Sequence, residues 1–231
     1  MPIKRFPRIE LSGDQTQHCA VLTGDIVSSS RLNAAERERV PEVMHRASAE
    51  LVRFLGPAMP LEVDVFRGDS WQMLLLEQRW ALRAALFYRA WLRSSSPSLD
   101  TRVAIGIGKV GHQILRRASE GHGEAFDLSG RMLESMVKLP RMRFGCADMR
   151  RQNLWDAMVG LIDNIIVQQW TPSRSQALTG ALRSWRQGRI VTLWGKEGIA
   201  QSSVSEFLSK AAWGAVKTAL DIFEVEWSDV E

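Results

Sequence analysis

Cysteine and histidine are scarce in this chain, and long apolar runs are missing. Its two cysteines, Cys19 and Cys146, each sit in an apolar run. They are too few for a disulfide framework, so a reducing compartment is expected, and no metal site is built from them. The four histidines, His18, His45, His112 and His122, are scattered without the spacing of metal ligands, and His45 falls within a predicted helix, so no chemistry is assigned to them. No apolar stretch is long enough to span a bilayer, and residues 1–8 are basic but lack the apolar core of a signal peptide. A soluble, cytoplasmic protein without a membrane partner is expected.

What is present is enough apolar material for a core. A chain of 231 residues that is 45% hydrophobic suits one large domain or two modest ones. Its nine tryptophans fall mostly at helix-periodic apolar positions and are expected to pack inside. The net charge of +4 is unevenly spread. Residues 171–217 hold Arg174, Arg183, Arg186, Arg189, Lys196, Lys210 and Lys217 against Glu197 and Glu206, while residues 218–231 hold Asp221, Glu224, Glu226, Asp229 and Glu231 and no base. Such asymmetry suggests a segment that meets a polyanion, followed by an acidic tail that does not.

In order, residues 1–16 read as an irregular arm with Pro2, Pro7 and Ser12-Gly13-Asp14. A strand over 18–23 leads through a Ser-rich loop to a helix capped by Asn33, with Val40, Met44, Ala47, Leu51 and Phe54 on its buried face. Pro41 suits the first turn of that helix's continuation rather than its middle, and Gly56-Pro57 ends it. The runs 61–66 and 71–76, separated by Arg67-Gly68-Asp69-Ser70, predict a hairpin with Asp69 at its tip. A helix over 78–92 carries Trp80, Leu86, Phe87 and Trp91 as core. The strand 101–110 puts Val103, Ile105 and Ile107 on one face, and Gly106 and Gly108 suggest close approach by another backbone or a ligand. A third helix opens at residues 121–133, a strand follows over 142–147, and a helix over 149–170 carries Leu154, Met158, Leu161, Ile165 and Val167. Because a hairpin forces antiparallel pairing, the class is α+β, with helices on one face of a mixed or antiparallel sheet.

Thr171-Pro172-Ser173 marks a boundary, a cap followed by proline at the first helical position. Ala177, Leu178, Ala181 and Leu182 continue a helix to about residue 185; a short helix over 189–194, a turn at 195–198 and a helix over 202–213 follow. In the last of these, Ile199, Val204, Phe207, Leu208 and Ala211 face inward, leaving Gln201, Ser202, Ser203, Ser205 and Lys210 outward. Small polar residues at a helix start, one turn after a short helix, suit entry into the major groove of DNA; the alternative is a helical dimerisation lobe without nucleic acid. The organisation expected is an arm (1–16), an α+β domain (17–170), a small all-α helix-turn-helix domain (171–217) and an acidic tail (218–231).

Two Gly-Asp pairs bear the chemistry. Gly24-Asp25-Ile26-Val27-Ser28-Ser29-Ser30 follows an apolar run, and a carboxylate at a strand mouth beside a small-residue loop opening into a helix can hold a divalent metal and phosphates together. A plain turn with a local Asp-to-backbone bond is the alternative. Gly68-Asp69 stands where it could face the first pair. Asp127 and Arg131, four apart, share a helix face and read equally as a surface ion pair.

Together, Gly24 to Ser30, Gly68-Asp69-Ser70, Arg102 to Gly108 and Gly123 to Leu133 resemble the class III nucleotidyl-cyclase domain. More closely, with Gly198-Ile199-Ala200-Gln201-Ser202-Ser203-Val204-Ser205, the chain resembles the SatD family, in which such a domain precedes a helix-turn-helix. The resemblance implies a ferredoxin-like, cyclase-type antiparallel sheet, and Asp25 and Asp69 as ligands of two Mg²⁺ or Mn²⁺ ions. It implies Ile26, Val27, Ser28 and Ser29 as phosphate binders for a nucleoside triphosphate, and Arg131 as a catalytic group reaching across a homodimer interface. The chain departs from the cyclase pattern at Asp127, where asparagine is usual, and at Val65, where the base-reading lysine falls, while Glu120 keeps the place of that lysine's acidic partner. An acid beside Arg131 weakens the field meant for a developing negative charge. The expectation is therefore a dimeric, DNA-binding transcriptional regulator that senses a nucleotide, with a metal-dependent nucleotidyl cyclase as the enzyme alternative.

Overall fold

The structure, a computed structural model, describes residues 8–11, 17–66, 68–111 and 113–228, without the side chains of residues 196 and 197. Pro2, Pro7, Ser12-Gly13-Asp14, Arg67, His112, Asp229 and Glu231 lie outside the described residues. The first elements are β1 (Ile9–Leu11), β2 (Gln17–Ile26), α1 (Ala34–Leu55), β3 (Asp64–Phe66), β4 (Ser70–Leu75) and α2 (Ala81–Ser95). Then follow β5 (Thr101–Val110), β6 (Gln113–Leu115), α3 (Glu124–Glu134), β7 (Met142–Cys146) and α4 (Met149–Gln169). The C-terminal part holds α5 (Pro172–Ala181), α6 (Gln187–Ile190) with a 3-10 turn over Val191–Glu197, α7 (Gln201–Lys210) and α8 (Trp213–Glu226).

Five strands form one mixed sheet in the order β3-β4-β2-β5-β7, antiparallel except for the parallel pair β5-β7. The class is α+β. Side chains alternate across β2. Ala20 and Leu22 join the larger core with α1 and α2, while Cys19 and Val21 join a smaller one with Ala125 and Phe126 of α3. Helices therefore cover both faces, not one as expected. The reason lies in β5: a Cβ on Gly106 would stand 2.3 Å from the Ala125 carbonyl oxygen, so only glycine lets α3 lie directly on the strand.

Several boundaries differ from expectation. Ile9–Leu11 of the supposed arm is a strand, paired antiparallel with β6. Helix α1 runs unbroken through Pro41, its start fixed by a reciprocal capping box between Asn33 and Glu36. The proline costs one intrahelical bond, and burial of Val40, Met44, Ala47 and Leu51 outweighs it. On α4 the buried stripe is Trp155, Val159, Ile162 and Ile166; Leu154 and Leu161 are exposed. Both stripes have helical spacing, and the one carrying Trp155 meets the core. Helix α5 ends at Ala181, earlier than expected, with Ser184 in the left-handed region (φ 60°).

The largest difference is at the C-terminus. Residues expected as an acidic tail form most of α8, whose Val216, Leu220 and Phe223 are fully buried. Phe223 packs edge-on against Trp155 and Phe144, and Trp227 closes the cluster. Glu224 pairs with Arg83 of α2, and Glu226 with Arg151 and the Trp155 indole of α4. One continuous core thus joins the sheet, α1, α2 and α4 to α5–α8.

Candidate functional site

The site begins with the register of β2 on β5, which makes Asp25 and Arg102 cross-strand partners. Arg102 Nε donates to Asp25 Oδ1 at 2.7 Å, its Nη2 donates to Oδ2, and its Nη1 donates to the Met136 carbonyl just beyond α3 at 2.6 Å. Asp25 is thus a strand residue with each carboxylate oxygen accepting from Arg102, not a turn with a local bond. Its hydrogen bonds hold the Arg102 guanidinium above its ordinary pKa, and the charges of Asp25 and then Asp69 add to this against partial burial. Behind the pair, the Trp71 indole donates to Thr101 Oγ1, which donates to the Asp25 carbonyl at 2.6 Å. Gly24 is required there, because a Cβ would lie 2.5 Å from the Trp71 ring.

The Ser-rich loop folds against the hairpin tip. Ser29 Oγ donates to Asp69 Oδ2 at 2.6 Å, and Ser70 Oγ approaches Asp69 Oδ1 at 3.4 Å. Two of the amides expected to bind phosphate are occupied: Ile26 N donates to the Asp69 carbonyl (3.0 Å) and Val27 N to the Asp100 carbonyl (2.9 Å). This correction follows from the strand's length, since β2 continues to Ile26 and its amides are spent on neighbouring backbone. Beyond it the chain turns through Ser28, in the left-handed region at φ 54°. A cleft of about 460 Å³ opens here, lined by Ile26, Ser29, Ser30, Arg37, Gly68 and Asp69 among others. Arg37 is held at its mouth by the Ser30 and Leu32 carbonyls and has no carboxylate partner among the described residues.

A divalent metal on Asp25 and Asp69 does not fit this arrangement. A metal shared by the pair needs an oxygen from each, whereas both Asp25 oxygens accept from the Arg102 guanidinium, whose positive charge opposes a second cation there. Asp25 is not among the residues lining the cleft. Among the described residues no group of three or more His, Cys, Asp or Glu side chains is placed to hold a metal ion. Asp127 and Arg131 are exposed on α3, with no ion pair between them, and nothing joins them to Asp25 or Asp69 within the chain.

Under the loop lies a buried charge network absent from the expectations. Asp100 accepts from Arg89, Arg93 and Arg141, and Arg89 also donates to Asp163. The signal in the sequence was Arg89 and Arg93, four apart on α2 with Asp100 a few residues on, but Arg141 and Asp163 join them only through the fold. Arg102 was likewise missed, because only the pairing of β2 with β5 brings it to Asp25.

On α7, Gln201, Ser202, Ser205 and Lys210 are exposed and Ser203 is half-buried, while Val204 and Leu208 are buried. Trp194 stacks on Phe207 and ties the preceding turn to the helix. Lys210 pairs with Glu206 four residues earlier. The basic surplus of this region is partly spent internally. Arg183 is buried against Glu50, and Lys217 pairs with Asp221. Both cysteines are buried and free, and burial pushes the Cys19 thiol up to about 12.

Compared with models of known protein families the chain matches none, and no curated protein matches it. No helix among the described residues is long and apolar enough to cross a membrane.

Proposed function

We propose that this chain is a nucleotide-binding regulator of the SatD type, dimeric, whose α7 touches DNA. The observation that carries the reading is the cleft between the Ser-rich loop and the hairpin tip, with Arg37 at its mouth unneutralised by any described carboxylate. Its size suits a nucleotide, and its polar groups converge from two elements. On this reading phosphates lie against Arg37 and the Ser29–Ser30 backbone, and Asp69 and Ser29 serve the ribose hydroxyls. The strand order β3-β4-β2-β5, with α1 and α2 as the crossing helices, supports a ferredoxin-like unit of the cyclase type. The short α6 and its turn before α7, with Gln201, Ser202 and Ser205 outward, support a helix-turn-helix reading. Exposed Val137 and Leu139, just beyond α3, are the apolar surface a second copy would cover.

Calorimetric titration of the full chain with ATP, GTP, CTP and UTP tests the first half. One triphosphate is expected to bind, about ten-fold more weakly to Arg37→Gln; equal affinity of the variant, or no binding, rejects the cleft. Anisotropy with DNA fragments tests the second half, with affinity falling steeply as salt rises. A second reading, a Mg²⁺- or Mn²⁺-dependent nucleotidyl cyclase, has the exposure of Arg131 in its favour, which leaves it available to a partner subunit, and the engagement of Asp25 by Arg102 against it. Release of pyrophosphate with a cyclic product would support it.

A further inference from the structure

The cyclase resemblance puts divalent cations on Asp25 and Asp69, yet an arginine holds the first of these carboxylates from the adjacent strand. We propose that Arg102 stands in for the metal, so that the nucleotide site works without a divalent cation and Asp25 is a positioning residue rather than a ligand. Three observations carry this. Asp25 and Arg102 are register partners, so the contact is set by the sheet itself and not by a loose surface rotamer. The contact is bidentate, Nε to Oδ1 at 2.7 Å with Nη2 to Oδ2, so each Asp25 oxygen already accepts a charge-assisted bond from a fixed cation. The third guanidinium nitrogen is anchored on the Met136 carbonyl at 2.6 Å, so the group is held from the strand and from the end of α3 at once.

A fixed monovalent cation also changes what the acids can do. With Arg102 at its carboxylate, Asp25 offers no net negative charge, and the remaining acid, Asp69, already accepts the Ser29 hydroxyl at 2.6 Å. A divalent ion approaching Asp25 also meets the repulsion of the guanidinium charge. The pair instead ties the mouth of β2 to β5 and to the segment after α3, and so keeps the Ser-rich loop in place beside Asp69.

The inference deepens the nucleotide reading, and its test does not depend on that reading because the probe is Mn²⁺ alone. Mn²⁺ titrated into the full chain and followed by electron paramagnetic resonance is expected to show no bound ion up to millimolar concentration. A site in the wild-type chain that disappears in Asp25→Asn overturns the proposal. Arg102→Gln, checked for a retained thermal transition, frees the Asp25 carboxylate and is expected to gain a Mn²⁺ site that the added Asp25→Asn change removes. A folded Arg102→Gln chain that takes up no Mn²⁺ overturns the assignment of Arg102 as the group that excludes the metal. If the variant fails to fold, the wild-type titration decides. Nucleotide affinity that survives EDTA supports the proposal, and affinity abolished by EDTA and restored by Mn²⁺ overturns it.

Discussion

Arg89 and Asp100 meet through two parallel hydrogen bonds, Nε to Oδ1 at 3.0 Å and Nη2 to Oδ2 at 2.7 Å, with the Arg89 side chain wholly buried. The same guanidinium reaches Asp163 on α4, so one arginine joins α2, the entry to β5 and α4. Arg89→Met leaves two buried carboxylates without their common partner. A loss of about 3–5 kcal/mol is expected from chemical denaturation at neutral pH. A loss below about 1 kcal/mol would mean that Arg93 and Arg141 suffice.

The pH dependence follows from the same cluster. Burial pushes the Asp100 carboxyl up, but Arg89, Arg93 and Arg141 outweigh it and hold the group well below the usual carboxylate range. Its folded value is depressed, so between the two values the unfolded chain binds the proton more readily. The contribution is complete above the unfolded value of about 3.9 and is lost as pH falls through the lower folded value. Arg141→Gln removes the 2.8 Å contact to Oδ2 and raises the folded value. The acid-unfolding midpoint, followed by tryptophan fluorescence, is expected to move to higher pH. An unchanged midpoint would remove Asp100 from the account.

Gly106→Ala tests the close contact of β5 and α3. The added Cβ would stand 2.3 Å from the Ala125 carbonyl oxygen and 2.5 Å from the Ser129 amide, both backbone atoms of a packed helix. Overpacking of this kind costs about 1–3 kcal/mol. Thermal melting of the variant measures it, and a neutral result would mean that α3 lies further from the sheet.

Phe223→Ala tests whether the C-terminal helix belongs to the main core. Phe223 is fully buried and touches Phe144, Trp155 and Trp227, so truncation leaves a cavity among three aromatic rings. A loss of about 3–5 kcal/mol in one cooperative transition is expected. Two separated transitions in the denaturation curve would instead describe a helical unit that folds apart from the sheet.

The α+β class, the hairpin with Asp69 at its tip and the strand 101–110 were legible in the sequence, because alternation, helical spacing and turn residues are local signals carried by neighbouring residues. So was the outward face of α7, since Val204 and Leu208 mark its inner side. Helix α8 was readable in part: Val216, Leu220, Phe223 and Trp227 recur at helical spacing, but the acids between them suggested a solvated tail. Only the tertiary structure decided that those acids meet Arg83 and Arg151, from segments far earlier in the chain. It alone chose between the two apolar stripes of α4, which have the same period. It alone set Asp25 against Arg102, because a cross-strand contact depends on the register of two strands that the chain separates by a helix, a hairpin and another helix, and no local pattern records that register.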